Sequence, residues 1–202
     1  MPVGAATCEV PKKNVVHVRV LDPAAKVVQR ETLNKINSKA KAHGLMKRNN
    51  LVLGLTHSEV ETSMSMRLQH TRIGNMNCIT IDEVKVRFGH KELDILVPRE
   101  YAAGTCQYNV VMQHEKEHVR VNREGVRKYA KLMRRELEKV VARFNPRQAS
   151  NVKAAQKEAK GILQKAMKRV GTKFQKEMKK KHAQIDKPGG PYDAAGMCKK
   201  WK

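Results

Sequence analysis

Acidic residues are scarce in this chain: 19 Asp and Glu stand against 42 Lys and Arg in 202 residues, a formal charge of +23. Such a balance excludes an acidic surface and draws a protein to polyanions, nucleic acid or anionic envelope polymers among them. Aromatics are few, at 4%, so the core must be built from Val, Leu, Ile and Met, and the interleaved aromatics of single-strand stacking are missing. No helix-turn-helix or zinc-finger spacing is present. No window approaches the roughly 18 apolar residues of a membrane span. Met1–Thr7 has neither a basic n-region nor an apolar h-region, so no signal peptide is expected within those residues.

Cys8, Cys78, Cys106 and Cys198 form no Cys-x-x-Cys pair, which excludes a cysteine zinc ribbon or a thioredoxin-like redox site. Four well-separated cysteines fit two disulfides and an oxidising compartment. Three connectivities are possible, with Cys78–Cys106 and Cys8–Cys198 the first choice. Four reduced cysteines in a cytosolic protein are the alternative.

The hydrophobic pattern divides the chain. Asn14–Leu21 alternates as a strand, Pro23 ends it, and 24–43 reads as a basic helix. Leu51–Thr56 is a short apolar run after the turn-like Lys47–Asn50. Glu59–His70 alternates, Ile73–Asn75 turns, and Cys78–Phe88 forms a strand with a phase slip at Asp82–Glu83. Gly89–Lys91 reads as a turn before a strand over Leu93–Val97. After Gly104–Thr105 the period changes from two to 3.6, and a helix runs to Phe144, where Asn145–Pro146 breaks it. A second amphipathic helix follows and folds back antiparallel, ending in a Pro/Gly-rich tail with Cys198 and Trp201. The fold class expected is α+β: a small antiparallel sheet followed by two long antiparallel helices, the first a zincin-like active helix. Residues 1–144 would form the sheet and metal-binding helix. Residues 145–202 would add the second basic helix and the tail to the same domain.

The chemistry concentrates in His114-Glu115-Lys116-Glu117-His118. On a helix, residues four apart project from one face, so both imidazoles can hold one Zn2+ while Glu115 takes a proton from an activated water. Neutral imidazoles bind without cancelling the metal's charge, which keeps it a strong Lewis acid. The competing reading is a pair of partly buried histidines packed between helices.

A third ligand is not local. Glu124 lies about 80° from His114 at 100° per residue, and Glu136 lies about 27 Å along the axis from His118. The returning end of the second helix offers His182-Ala183-Gln184-Ile185-Asp186. Asp186, at the turn past the helix, is the first choice, His182 the second, and His90 in the sheet turn the third. Asp186 as a mere cap or turn residue is the competing reading. Tyr101 and Tyr108, beside the start of the active helix, are candidate donors to an oxyanion, or otherwise core and rim residues. The strand Leu93–Val97 could pair with an extended peptide.

Residues Cys78–Leu137 resemble a bacterial family of predicted secreted zinc-dependent proteases. The likeness is carried by Ile79–Ile81, Val84–Phe88, Ile95–Tyr101, Gly104–Tyr108 and the helix with His114–Val119. Leu53–Thr56 upstream, with Ile185–Asp186 and Cys198–Trp201 downstream, is similar too. The resemblance implies a metallopeptidase exported to the periplasm or secreted, and a Cys78–Cys106 pair. This sequence departs from it in showing no signal peptide. The function expected is zinc-dependent hydrolysis of a peptide or protein substrate. The alternative is a basic polyanion-binding or envelope structural protein with a structural metal, whose partner would be a polyanion or anionic envelope surface.

Overall fold

The computed structural model describes Cys8, residues 15–45, 51–194 and 196–199, and Trp201. Asn14, the turn at Lys47–Asn50, Met1–Thr7 and Lys200 lie outside the described residues. In chain order the elements are β1 (Val15–Leu21), β2 (Lys26–Val28), α1 (Leu33–Ala42), β3 (Leu55–Ile73), β4 (Met76–Leu96), α2 (Cys106–Phe144), β5 (Arg147–Ala149) and α3 (Val152–Ile185).

All five strands belong to one sheet in which β4 pairs with each of the others. β2 lies parallel to β4, with Lys26 opposite Asp94 and Val28 opposite Leu96. β5 lies antiparallel to its other end, with Asn77 opposite Ala149 and Ile79 opposite Arg147. The expected antiparallel sheet is therefore overturned by the parallel β2–β4 pairing. Alternation reports which face of a strand is buried, but it carries no signal about the direction of the neighbour.

The same finding corrects two local readings. Residues 24–43 are not one helix: Lys26–Val28 extends onto β4, and Thr32 then caps α1 by accepting the Lys35 N–H at 3.2 Å. Glu31 and Thr32 supply the break that a basic amphipathic pattern concealed. Gly89 does not turn the chain back but sits inside β4 with φ 145, a conformation open to glycine, so the strand continues through buried His90.

The chain forms two compact units, interleaved along the sequence. Unit 1 comprises Met1–Val20, Thr62–Gly89 and Arg127–Phe174, and unit 2 comprises Leu21–Glu61, His90–Val126 and Gln175–Lys202. In unit 1, Phe174 of α3 makes T-shaped contacts with Phe88 and Tyr129 at centroid distances of 5.4 and 5.5 Å. Its buried Asn145 donates Nδ2–H to the Ile81 carbonyl and accepts the Ile81 N–H through Oδ1, both at 2.7 Å. This ties the end of α2 to β4. In unit 2, Leu93, Ile95 and Val97 pack with Tyr101, Val111, Met112 and Val119, while Ile36 of α1 packs with Leu55 and Leu96.

Cys8 is joined to Cys78 within unit 1, and Cys106 to Cys198 within unit 2. The pairing expected from sequence, Cys78–Cys106 with Cys8–Cys198, is thus corrected. Cysteine spacing cannot reveal which thiols the fold brings within the roughly 6 Å Cα separation a disulfide needs. Two disulfides fit an oxidising environment outside the cytosol. No helix among the described residues is long and apolar enough to cross a membrane.

Candidate metal centre

All the residues of the candidate site belong to unit 2. α2 begins at Cys106 and carries His114 and His118 on one face, one helical turn apart. α3 returns antiparallel within this unit, so His182 meets His118, and Asp186, just past the helix end, reaches both histidines. The tail is held back to the start of α2 by Cys106–Cys198 and by Trp201, whose ring makes a T-shaped contact with Tyr101 at 5.9 Å between centroids.

Three donor atoms converge. His114 Nε2 and His118 Nε2 are 3.1 Å apart, and Asp186 Oδ1 lies 3.0 Å from His118 Nε2 and 3.3 Å from His114 Nε2. Bonds of 2.0–2.1 Å to a tetrahedral ion place neighbouring ligands about 3.3 Å apart, so the triangle has the dimensions of one face of such a site. His114, His118 and Asp186 form the group among the described residues that can hold a metal ion. The choice of metal is a matter of ligand chemistry: two imidazoles and one carboxylate suit zinc and its neighbours better than calcium or magnesium.

The outer nitrogens are also engaged. His114 Nδ1 lies 2.7 Å from the Tyr192 carbonyl, to which it donates, leaving Nε2 as the ligand nitrogen. His118 Nδ1 is 2.8 Å from His182 Nδ1, and His182 Nε2 is 3.1 Å from Asn122 Oδ1. The amide oxygen only accepts, so His182 carries its proton on Nε2 and presents a lone pair at Nδ1. His118 then donates from Nδ1 and keeps Nε2 free for a metal. His182 therefore faces away from the triangle and orients one of its members. His90 lies outside the triangle, buried beside the Asn122 backbone with no ring hydrogen bond of ordinary geometry.

The same contacts set the electrostatics of the group as it stands without an ion. Burial lowers His114, but the hydrogen bond to Asp186, the Glu115 charge and the Tyr192 carbonyl outweigh it and raise its pKa to about 9. Burial pushes Asp186 up, yet hydrogen bonds and charge from the two histidines hold it well below the usual carboxylate range. His182 is pushed down to about 4, first by burial and then by the charge of His118, so it stays neutral.

Glu115 is buried at 3% exposure, and burial raises its pKa against the charges of His118 and His114. Thr56 Oγ1 donates to its Oε2 at 2.7 Å. Gly54 leaves the room: a Cβ there would collide with Val111 and lie 3.0 Å from Glu115 Oε1. The start of β3 therefore approaches α2 at the residue that needs to be held.

The two tyrosines expected near the active helix are placed apart from this cluster. Tyr101 is a core residue whose buried hydroxyl has no hydrogen-bond partner among the described residues, and burial raises its pKa. Tyr108 lines a cavity of about 330 Å³ with Asn109, Met112, Gln113 and Lys116. At 100° per residue, Met112 and Lys116 are about 160° from His114 on α2. The tyrosine at the metal centre is Tyr192, unnoticed in the sequence, which also hydrogen-bonds the Glu117 carboxylate. Asn122 and Thr56 were missed as well. Asn122 is one turn beyond His118 on α2, a spacing that could have drawn attention to it. The edge of Leu93–Val97 proposed for a peptide is occupied on one side by β2.

Compared with known proteins, the chain matches no family model, no curated protein and no solved structure.

Proposed function

We propose that the chain is a zinc-dependent hydrolase, and specifically a metallopeptidase. The observation that carries this reading is the donor triangle of His114, His118 and Asp186, with Glu115 buried one residue from the first ligand. A Zn2+ ion held there would supply Lewis acidity and lower the pKa of a water at the remaining corner to about 7. Glu115, its pKa raised by burial, is suited to take that water's proton and return it to the leaving amine. Thr56 and the small Gly54 hold the carboxylate in place, while Tyr192 and His182 hold the imidazoles.

A closed structural site normally has four protein ligands. Here three donors converge, and the nearest further imidazole, His182, is turned towards Asn122. This favours an open position over a structural metal. For a peptide substrate, the β3 edge is the better candidate: among the described residues β3 pairs with β4, and its first residues touch Glu115 through Thr56. The two disulfides support a periplasmic or secreted enzyme, in keeping with the resemblance to predicted secreted zinc proteases.

The test is metal content and peptide hydrolysis measured together on purified protein. About one zinc per chain is expected, and Glu115→Gln should retain it while losing hydrolysis of an unstructured peptide mixture. Protein that takes up no zinc, or a Glu115→Gln variant that cleaves as well as the parent, would sink the proposal.

A further inference from the structure

The segment Arg127–Phe174 of unit 1 contains fifteen Lys and Arg against three Glu and no Asp. All fifteen basic residues are exposed. The three glutamates are already engaged: Glu136 with Lys139, Glu138 with Arg134, and Glu158 with Arg147. Within this unit α2 and α3 lie side by side, because Tyr129 O–H donates to the Lys173 carbonyl at 3.2 Å. At 100° per residue, Lys153, Lys157, Lys160 and Lys168 fall within about 80° of one another on α3. Ala155, Ala159, Leu163 and Ala166 face the core instead. Arg127, Lys131, Arg134 and Arg135 form a comparable stripe on α2.

Like charges at helical neighbour positions repel and lower stability. The packing of α2 and α3 does not require them, since the buried side of each helix is already apolar. Nor is the surface built to read bases. Tyr129, Phe144 and Phe174, the aromatics of the segment, are buried and unavailable for stacking.

We propose that this basic surface of unit 1 docks on an anionic phospholipid bilayer. A polybasic helical surface is attracted to such a membrane by charge alone, with each Lys or Arg adding to the affinity and salt weakening it. Both disulfides favour an oxidising compartment, in which lipid headgroups are a more available polyanion than nucleic acid. The proposal is independent of hydrolysis, so either reading can fail without the other.

Cosedimentation with vesicles tests it on the full chain. Phosphatidylcholine vesicles containing phosphatidylglycerol should retain the protein at about 0.15 M salt, and about 0.5 M salt should release it. Reversal of Lys153, Lys157, Lys160 and Lys168 to Glu should lower the partition by at least about tenfold. The milder Gln replacements should lower it in the same direction. An equal charge change in unit 2, at Lys26, Lys35, Lys41 and Lys91, should have the smaller effect. Circular dichroism and zinc content accompany each variant. Equal binding to neutral vesicles, equal loss in the two quadruple variants, or stronger retention on duplex DNA than on the anionic vesicles would overturn it.

Discussion

Unit 1 and unit 2 are each closed by one disulfide and each contain a stretch of the same two long helices, yet they use buried polarity differently. Among the described residues of unit 1 the buried polar side chains are Thr80 and Asn145, and Asn145 spends its amide on the backbone of Ile81. In unit 2 they are Glu31, His90, Glu115, His118 and Asn122, and three of these contribute to one connected cluster. Buried polar groups that satisfy the backbone stabilise a fold. Buried imidazoles and carboxylates that face one another create a demand for a proton or a metal. The contrast places the candidate metal centre in unit 2 even though the larger share of basic helix surface lies in unit 1.

Replacing His118 with Ala is the most severe way to test that division. Bound zinc should fall from about one per chain to none by elemental analysis, while amide exchange around Leu137 of unit 1 stays slow. Loss of protection in both units would show that the metal cluster also holds unit 1. Next in size, Glu115→Gln should leave zinc in place and reduce peptide hydrolysis by about 10³-fold, within the range of general acid–base catalysis.

A smaller effect is expected of His182→Ala. By freeing His118 Nδ1 it should weaken zinc about 10- to 100-fold in chelator competition, as loss of an outer-shell partner does. Unchanged affinity would remove His182 from the orienting role. Its counterpart in unit 1, Asn145→Ala, should leave two Ile81 backbone groups unpaired. That costs about 1–3 kcal/mol per group in urea unfolding, with zinc affinity unaltered.

Acidification should sharpen the comparison with the least perturbation. His90 is buried and His182 half-buried, both with pKa values below the ordinary 6.5, so the unfolded state binds more protons as pH falls. Their contribution to stability is complete above about pH 6.5 and declines towards pH 4. Hydrogen-exchange protection, corrected for the intrinsic pH dependence of amide exchange, should therefore fall between pH 7 and pH 5 in Val119–Val126 more than in Met133–Val141. An equal loss of protection in both would refute a selective role for the unit 2 histidines.

What local spacing determines was legible in the sequence. The i, i+4 geometry of His114 and His118 follows from helical rise alone, and Asn145–Pro146 stops α2 at Phe144 because proline has no N–H to give. Asp186 could be argued for once two antiparallel helices were inferred, although nothing in its own neighbourhood distinguishes a ligand from a turn residue. The tertiary structure decided the rest. It placed Asp186 Oδ1 beside both imidazoles, turned His182 outward to Asn122, and brought the Tyr192 carbonyl to His114. It also paired Cys106 with Cys198 and set β2 parallel to β4. These contacts join residues 60 to 92 positions apart in sequence. Periodicity shows which face of an element is buried, but the partner and its direction depend on how all the elements pack together.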